Sequence, residues 1–288
     1  MSCSRPCFNR RRHMLGGLVA GFLAIVSNSS EAQTPALVQS MKDAGSAKVA
    51  IAAAPPYAYL APSGEAQGYL IEVSMEILKS LGVPKVQALM TTWDAMIPGL
   101  QAKQYDFLPG GMNITAARCQ VVAFTVPVTA QQDALYVKPG NAKQLDGYAS
   151  VAKSAGVQVA VLAGSSQESF ALKRQIPHSQ LVRVPDIQAG IAAVTGGRVD
   201  AFIVGQFSVT EPAKKGVEVV VDKTSPPVGI ALAFRKEDAP TRDAFDASIN
   251  AMKADGTLKK LYADKYGFTN WDLLAKTNKA SDVAPECN

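Results

Sequence analysis

The hydrophobic pattern from Lys48 onward alternates short β-type runs with segments of helical spacing. Apolar residues three and four positions apart predict a helix over Leu70–Leu81, which Gly82 ends. The first series of predicted elements is strand Lys48–Ala53, helix Leu70–Leu81, strand Val86–Leu89, helix Trp93–Ala102 and strand Tyr105–Leu108. Strands and helices that alternate in this way predict an α/β fold with mostly parallel sheets flanked by helices.

A second series of the same kind follows Asn141 and is similar to the first. It contains strand Val157–Leu162, a helix from Ser165 through Leu172, strand Leu181–Val184, helix Ile187–Thr195, and strands Val199–Val204 and Val217–Val221. Asp106 and Asp200 each follow a helix end and a turn and enter a strand. These aspartates could be catalytic, but binding of nearby backbone amides is the simpler interpretation. The internal similarity predicts two lobes.

The last part of the chain is predicted to return to the first lobe. It contains a strand over Gly229–Phe234, an amphipathic helix over Thr241–Ala254 and a short helix over Leu258–Tyr266. The predicted divisions are a signal peptide at 1–32, lobe 1 at 33–138 and 229–288, and lobe 2 at 139–228. Two hinge crossings follow, near Lys138–Asn141 and near Ser225–Gly229, where Pro and Gly occur.

The first 32 residues have the three-part pattern of a secretory signal peptide. Arg10–Arg12 are cationic, Met14–Val26 is apolar, and small residues at Ser30 and Ala32 predict cleavage near Ala32. The apolar run is short for a membrane span, although a short N-terminal anchor is the alternative. Loss of four Arg and one Glu with this segment lowers the net charge from +5 to +2. That balance does not favour nucleic acid as a partner.

Two cysteines, Cys119 and Cys287, remain after the predicted cleavage. An oxidising compartment favours a disulfide between them, and two free thiols are the alternative. The sequence carries no cluster with metal-ligand spacing, no phosphate loop and no nucleophile motif, so we predict neither a metal nor a cofactor.

The segment Thr91–Val128, TTWDAMIPGLQAKQYDFLPGGMNITAARCQVVAFTVPV, resembles bacterial extracellular solute-binding proteins of family 3, the polar amino-acid type. The resemblance extends through APPYAY, GYLIEVSMEIL, GSSQESF, GGRVDAF and the helical C-terminal region. AMIPGLQA, VPDIQAG, the Arg118-Cys119 pair and a C-terminal cysteine are most similar to the ectoine and hydroxyectoine branch. The resemblance implies a two-lobed type II periplasmic binding protein, monomeric, that delivers a small-molecule solute to the membrane permease of an ABC transporter.

The same resemblance implies a ligand site in the cleft between the lobes, with Arg118 as its anchor. A guanidinium offers a bidentate fork to a carboxylate, and Thr115 and the backbone of Gly111 would add donors. Ser165 and Ser166 begin a helix whose N-terminus favours an anion, although simple N-capping is the alternative.

Tyr57 and Trp93 are candidates for stacking on a cationic ligand group, with packing in the core as the alternative. Amino-acid binders of the family usually carry an Asp where this chain has Gln206. Ala54 and Asn113 depart from the ectoine branch, which usually has an acidic and an aromatic residue there. Glu72 could supply a negative charge, but its helix position favours exposure. The specificity residues therefore differ from both patterns.

Two rival functions remain at the level of the sequence. A few proteins that look like this family are cyclohexadienyl or arogenate dehydratases with a Glu near the first lobe-two helix, where this chain has Glu168. A sensor domain of a signalling receptor is the third possibility, against which the absence of an output domain in the sequence counts.

Overall fold

The computed structural model describes residues 33–287, so the predicted signal peptide lies outside the described residues. The strands are β1 (Ala47–Ile51), β2 (Tyr59–Leu60), β3 (Ala66–Gln67), β4 (Val86–Met90), β5 (Leu108–Asn113), β6 (Ala123–Phe124), β7 (Thr129–Gln131), β8 (Asp133–Val137), β9 (Val159–Leu162), β10 (Leu181–Val184), β11 (Ala201–Gly205), β12 (Glu218–Val221) and β13 (Val228–Phe234). The α-helices are α1 (Ala36–Ala44), α2 (Tyr69–Ser80), α3 (Met96–Gln101), α4 (Ala116–Cys119), α5 (Tyr148–Lys153), α6 (Ser166–Lys173), α7 (Ile187–Thr195), α8 (Ala239–Ala254), α9 (Thr257–Lys259) and α10 (Trp271–Ala275).

The first lobe contains β1, β4, β5, β6, β7 and β13. β1 runs parallel to β4 and forms a parallel bridge from Val49 to Phe107, just before β5. The returning strand β13 then runs antiparallel to β5, β6 and β7. The aromatic rings of Phe107, Phe234 and Phe245 pack together under this sheet, with centroids 4.9–5.3 Å apart. The C-terminal strand and helix therefore complete the first lobe.

The second lobe is a five-stranded sheet in the order β10-β9-β11-β8-β12. β10, β9 and β11 are parallel, and β8 is the reversed strand, antiparallel to both of its neighbours, β11 and β12. Buried side chains pack on both faces of the sheet, around Tyr136 and Phe202 on one and around Leu135 and Ile203 on the other. Burial on both faces explains why these strands read as nearly continuous apolar runs.

The first crossing between the lobes lies earlier than predicted. We expected it near Lys138–Asn141, but β8 pairs with β11 and β12 and so belongs to the second sheet. The crossing therefore falls at Gln132, between β7 and β8, and Lys138–Asn141 forms a turn within the second lobe. The return crossing lies between β12 and β13 and overlaps the predicted segment Ser225–Gly229.

The two strand-entry aspartates bind backbone amides, as the sequence analysis favoured. Lys48 N donates to Asp106 Oδ2 at 2.7 Å, and Gln158 N donates to Asp200 Oδ2 at 2.9 Å. The Asp106 carboxylate thus joins the residues before β5 to the start of β1, and the Asp200 carboxylate joins the residues before β11 to those before β9. The equivalent contacts in the two lobes agree with the internal similarity of the sequence.

A disulfide joins Cys119 to Cys287 with Cα atoms 5.2 Å apart, which confirms the predicted bridge. Cys119 ends α4, so the bridge holds the C-terminal tail against the one-turn helix that carries Arg118. Across residues 33–287, each helix is too short or too polar to traverse a bilayer.

Candidate functional site

A cavity of about 660 Å³, counting the space at its mouth, lies between the two lobes. We call it the strand-end cavity, because its lining follows or ends β1, β5, β9, β10 and β11. The carboxyl ends of parallel strands are where open α/β sheets bind ligands. The first lobe contributes Tyr57, Trp93 and Gln131, and the second contributes Ser166 and Gly205.

A second space of about 1090 Å³ adjoins it, and we call this the Arg118 cavity. Thr115, Arg118 and Ser165 line the Arg118 cavity, and Asn113 and Ser166 line both spaces. The two spaces are therefore parts of one interlobe cleft. Inside the described range, the His, Cys, Asp and Glu side chains form no group of three that could hold a metal ion.

Arg118 lies in the cleft and touches both lobes. Its Nη1 donates to Asn113 O at 3.1 Å in the first lobe, and its Nη2 donates to Gly164 O at 3.3 Å in the second. Burial lowers the pKa of Arg118 to about 10, so the guanidinium stays charged at neutral pH. The Thr115 hydroxyl caps α4 by accepting from Arg118 N, and Thr115 also lines the Arg118 cavity.

Ser165 and Ser166 differ in their contacts: Ser165 caps α6, whereas Ser166 faces the cleft. Ser165 Oγ accepts from Glu168 N at 3.1 Å and so caps α6. Ser166 Oγ accepts a 2.7 Å hydrogen bond from Asn113 Nδ2, which crosses the cleft. The first-turn N–H groups of α6 have no carbonyl within the helix to accept them, and this end of α6 lines the cleft.

Tyr57 and Trp93 both line the strand-end cavity, but in different ways. Tyr57 is buried, its ring packs on Phe268 at 5.5 Å between centroids, and its hydroxyl donates to Gln131 Oε1 at 2.7 Å. Burial raises the pKa of Tyr57 well above its ordinary value, so the hydroxyl keeps its proton. Trp93 Nε1 is buried and has no hydrogen-bond partner among residues 33–287.

The structure places Gln206 at the hinge instead of in the cavity. Gln132 N donates to Gln206 Oε1 at 2.9 Å, and Gln206 lines neither space. Neighbouring residues at a strand end point to opposite faces, so Gly205 takes the cavity position. Sequence reasoning also missed Gln131, whose only signal was its place at the end of the strand before the crossing.

The remaining candidates have clear places. Gly111 lines the strand-end cavity with φ of 65°, a backbone conformation that favours glycine. Ala54 lines the same cavity. Glu168 lines neither space, because Arg183 Nε binds it at 2.8 Å and Gly164 N donates to it at 2.8 Å. Glu72 lies away from the cleft, paired with Lys265 at 2.7 Å.

Two lobes of mixed sheet, two crossings and a cleft with a half-buried arginine define a two-lobed solute-binding architecture. Residues 47–268 match the family model of the bacterial extracellular solute-binding proteins, family 3. The chain belongs to this family, as its sequence motifs predicted.

Relatives and solved structures agree with this assignment. The chain is 28% identical over 283 residues to the "Probable amino-acid ABC transporter periplasmic-binding protein y4tE" of Sinorhizobium fredii, covering 94% of this chain and 93% of that protein. It is 32% identical over 213 residues to the histidine-binding periplasmic protein of Salmonella typhimurium, covering 70% and 80%. The crystal structure of EhuB in complex with hydroxyectoine superposes with a TM-score of 0.80 at 30% identity, covering 87% and 97%.

Proposed function

We propose that the protein is the periplasmic substrate-binding component of an ABC uptake transporter and that it binds a small polar solute bearing a carboxylate. The observation that carries this proposal is the position of Arg118. Its guanidinium lies between the lobes, reaches both of them, and adjoins the N-terminus of α6.

The carboxylate of the solute would take over the guanidinium fork that now donates to two carbonyl oxygens. The present bonds have one charged partner, whereas a carboxylate adds a full negative charge and can accept both N–H groups in a bidentate pair. The exchange therefore favours the ligand, and the α6 N-terminus adds donors from the opposite lobe. A ligand that joins the two sets of donors would stabilise the closed lobes beyond the direct bonds from Arg118 to Gly164 and from Asn113 to Ser166.

The resemblance and the names of the relatives support the finer parts of the proposal. Cleavage near Ala32 would release residues 33–288 into the periplasm, where the loaded monomer would meet its membrane permease. The solute class comprises amino acids, amino-acid derivatives and ectoine-like compatible solutes, because amino-acid, histidine and hydroxyectoine binding appear in the names of similar proteins. We do not propose a dehydratase activity, since Glu168 is held by Arg183 and Gly164 outside the cleft.

A thermal-shift panel tests the proposal. Protein purified from periplasm would be heated with amino acids, ectoine, hydroxyectoine, betaines and small organic acids. A ligand at 100 times its Kd stabilises the folded state by about 2.7 kcal/mol, which is a measurable rise in melting temperature. Turnover of prephenate or arogenate without a shift by any compound would contradict the proposal.

A further inference from the structure

Gln131 is the side chain at the strand-end cavity whose role the proposed function leaves open. It ends β7, the last strand before the crossing, and is 4% exposed. Its Oε1 accepts from the buried Tyr57 hydroxyl at 2.7 Å, which orients the amide. The hydrogen bonds of residues 33–287 leave its Nε2 without an acceptor, although Gln131 lines the cavity. A donor oriented in this way at the cavity wall favours a ligand atom that accepts a hydrogen bond.

Gly205 makes room for this amide from the opposite lobe. A Cβ at position 205 would fall on the Oε1, Nε2 and Cδ atoms of Gln131, closer than real Cβ atoms approach their neighbours. Any side chain at position 205, an acidic one included, is therefore incompatible with the present position of Gln131. Gln131 thus occupies the part of the cavity that a larger residue on β11 would otherwise reach.

In the strand-end cavity, a cationic ligand group would find no buried carboxylate partner among the described residues. Asp186, the carboxylate among the described residues of the strand-end cavity, is exposed and accepts from Ala189 N at 2.7 Å. Asp133 lines the Arg118 cavity but is bound by Gln167 Nε2 at 2.7 Å and the Tyr148 hydroxyl at 2.8 Å. Burial of a cation without a paired charge is strongly unfavourable.

The free donors of the strand-end cavity point to the same conclusion. Trp93, whose Nε1 is buried without a partner in the described part of the chain, lines the cavity beside Gln131. The amide N–H of Gln131 matches a carbonyl, amide or hydroxyl oxygen and repels an ammonium group.

We propose that Gln131, with Gly205 opposite it, makes this protein selective for monocarboxylates whose remaining polar groups are uncharged hydrogen-bond acceptors. This inference rests on the proposed function, since Arg118 must hold the carboxylate. It narrows the proposed solute class to amino-acid derivatives without a free ammonium or amidine cation, and so separates this chain from binders of cationic solutes on the same fold.

Calorimetric titration with 5-oxoproline, proline and ectoine tests the inference on compounds of similar size. 5-Oxoproline has a lactam carbonyl and no positive charge, whereas proline carries an ammonium and ectoine a cationic amidine. We expect 5-oxoproline to bind wild-type protein at least about 10-fold more tightly than either zwitterion. A ratio of that size in Kd corresponds to the loss of one charged hydrogen bond. Gln131→Glu, which places a carboxylate in the same shape, should reverse that ratio. Gln87→Glu makes the same substitution at an exposed position of β4 outside the cleft, so it is the matched control and should leave the ratio unchanged.

Proline or ectoine binding the wild type as tightly as 5-oxoproline, with the ratio unmoved by Gln131→Glu, would overturn the inference alone. Binding of none of the three compounds to either protein would count against the proposed function and the inference together. Melting of variants without ligand tests whether Gln131 packs against Gly205. Gly205→Ala should lower the melting temperature of the wild type, and lower it less in a Gln131→Ala background. Equal losses in both backgrounds would show that Gln131 does not occupy the space at Gly205.

Discussion

The two lobes line the cleft with different kinds of residue, and we call these surfaces the first wall and the second wall. The first lobe presents long side chains that carry chemistry, namely Arg118, Tyr57 and Gln131. The second lobe meets these side chains with the Gly164 carbonyl, Gly205 and the Ser166 hydroxyl, and longer side chains such as Gln167 and Lys173 line the cleft beside them. We expect the first lobe to make most of the polar contacts to the ligand, and the second lobe to approach it closely at Gly164 and Gly205.

The first wall is also the more firmly braced. The disulfide anchors α4 beside Arg118, and Tyr57 packs on Phe268 from the C-terminal region. The second wall depends on the cap of α6 and on hydrogen bonds across the cleft. A preorganised wall that binds first, followed by a second wall that closes, is the behaviour this difference predicts.

Removal of the disulfide should have the largest effect on stability. Cys119→Ser with Cys287→Ser is expected to lower the free energy of unfolding by about 2–5 kcal/mol, because the bridge closes a long loop. Urea unfolding of the double variant, with reduced wild-type protein as the matched control, measures this. A loss below about 1 kcal/mol would show that the tail does not brace the first wall.

Arg118→Ala should weaken a carboxylate ligand by about 10- to 100-fold, since it removes a charge-assisted hydrogen-bond pair worth about 1.5–3 kcal/mol. Arg118→Lys keeps the charge but loses the fork, so an intermediate affinity is expected. Arg183→Ala, an exposed arginine of the second lobe, is the control and should change affinity little. Calorimetric titration separates these variants, and undiminished affinity in Arg118→Ala would remove the anchor from the account.

Substitutions of Ser165 and Ser166 in the second wall should affect different properties, namely stability for Ser165 and ligand affinity for Ser166. Ser166→Ala loses the bond to Asn113 and should weaken ligand binding by about 2- to 10-fold, the worth of one neutral hydrogen bond. Ser165→Ala loses the α6 cap and should lower the free energy of unfolding by about 1 kcal/mol. Titration and urea unfolding of both variants test this, and identical profiles would contradict the division of roles.

The smallest effect concerns Asp133, the first residue of the second lobe after the crossing. Burial raises its pKa above the ordinary value of 3.8, so the folded state holds this proton to higher pH than the unfolded state. Its contribution to stability is thus present at low pH and is lost as pH rises through the raised pKa. Asp133→Asn should therefore gain stability relative to wild type as the pH rises above about 4.

Urea unfolding across that pH range checks the sign, with the exposed Asp146→Asn as the matched control. A difference between wild type and Asp133→Asn that does not vary with pH would contradict the raised pKa.

Much of the fold followed from the sequence because its periodicity is strong. The prediction for α7, Ile187–Thr195, matches both ends, and β10 matches as well. The first crossing was misplaced because Asp133–Val137 is apolar and precedes a Pro-Gly turn, so its local pattern does not distinguish the two sheets. Only its pairing with β11 and β12 does.

The cleft was less predictable than the fold. Motif position was sufficient to place Arg118 between the lobes. Gly205 lines the cavity, whereas the sequence pointed to Gln206. Neighbouring residues of a strand face opposite sides, and the sequence pattern does not tell which of the two faces the cavity. Gln131 was missed because its partners Tyr57 and Gly205 are 74 residues away in each direction, and only the folded lobes bring them together.

The central claim is that Arg118 binds a solute carboxylate between the lobes. The most direct test is calorimetric titration of the wild-type protein with the compound that gives the largest thermal shift and with its methyl ester. Only the acid offers a charged partner to the guanidinium fork. The ester should therefore bind at least about 10-fold more weakly than the acid. Equal affinity for the two would contradict it.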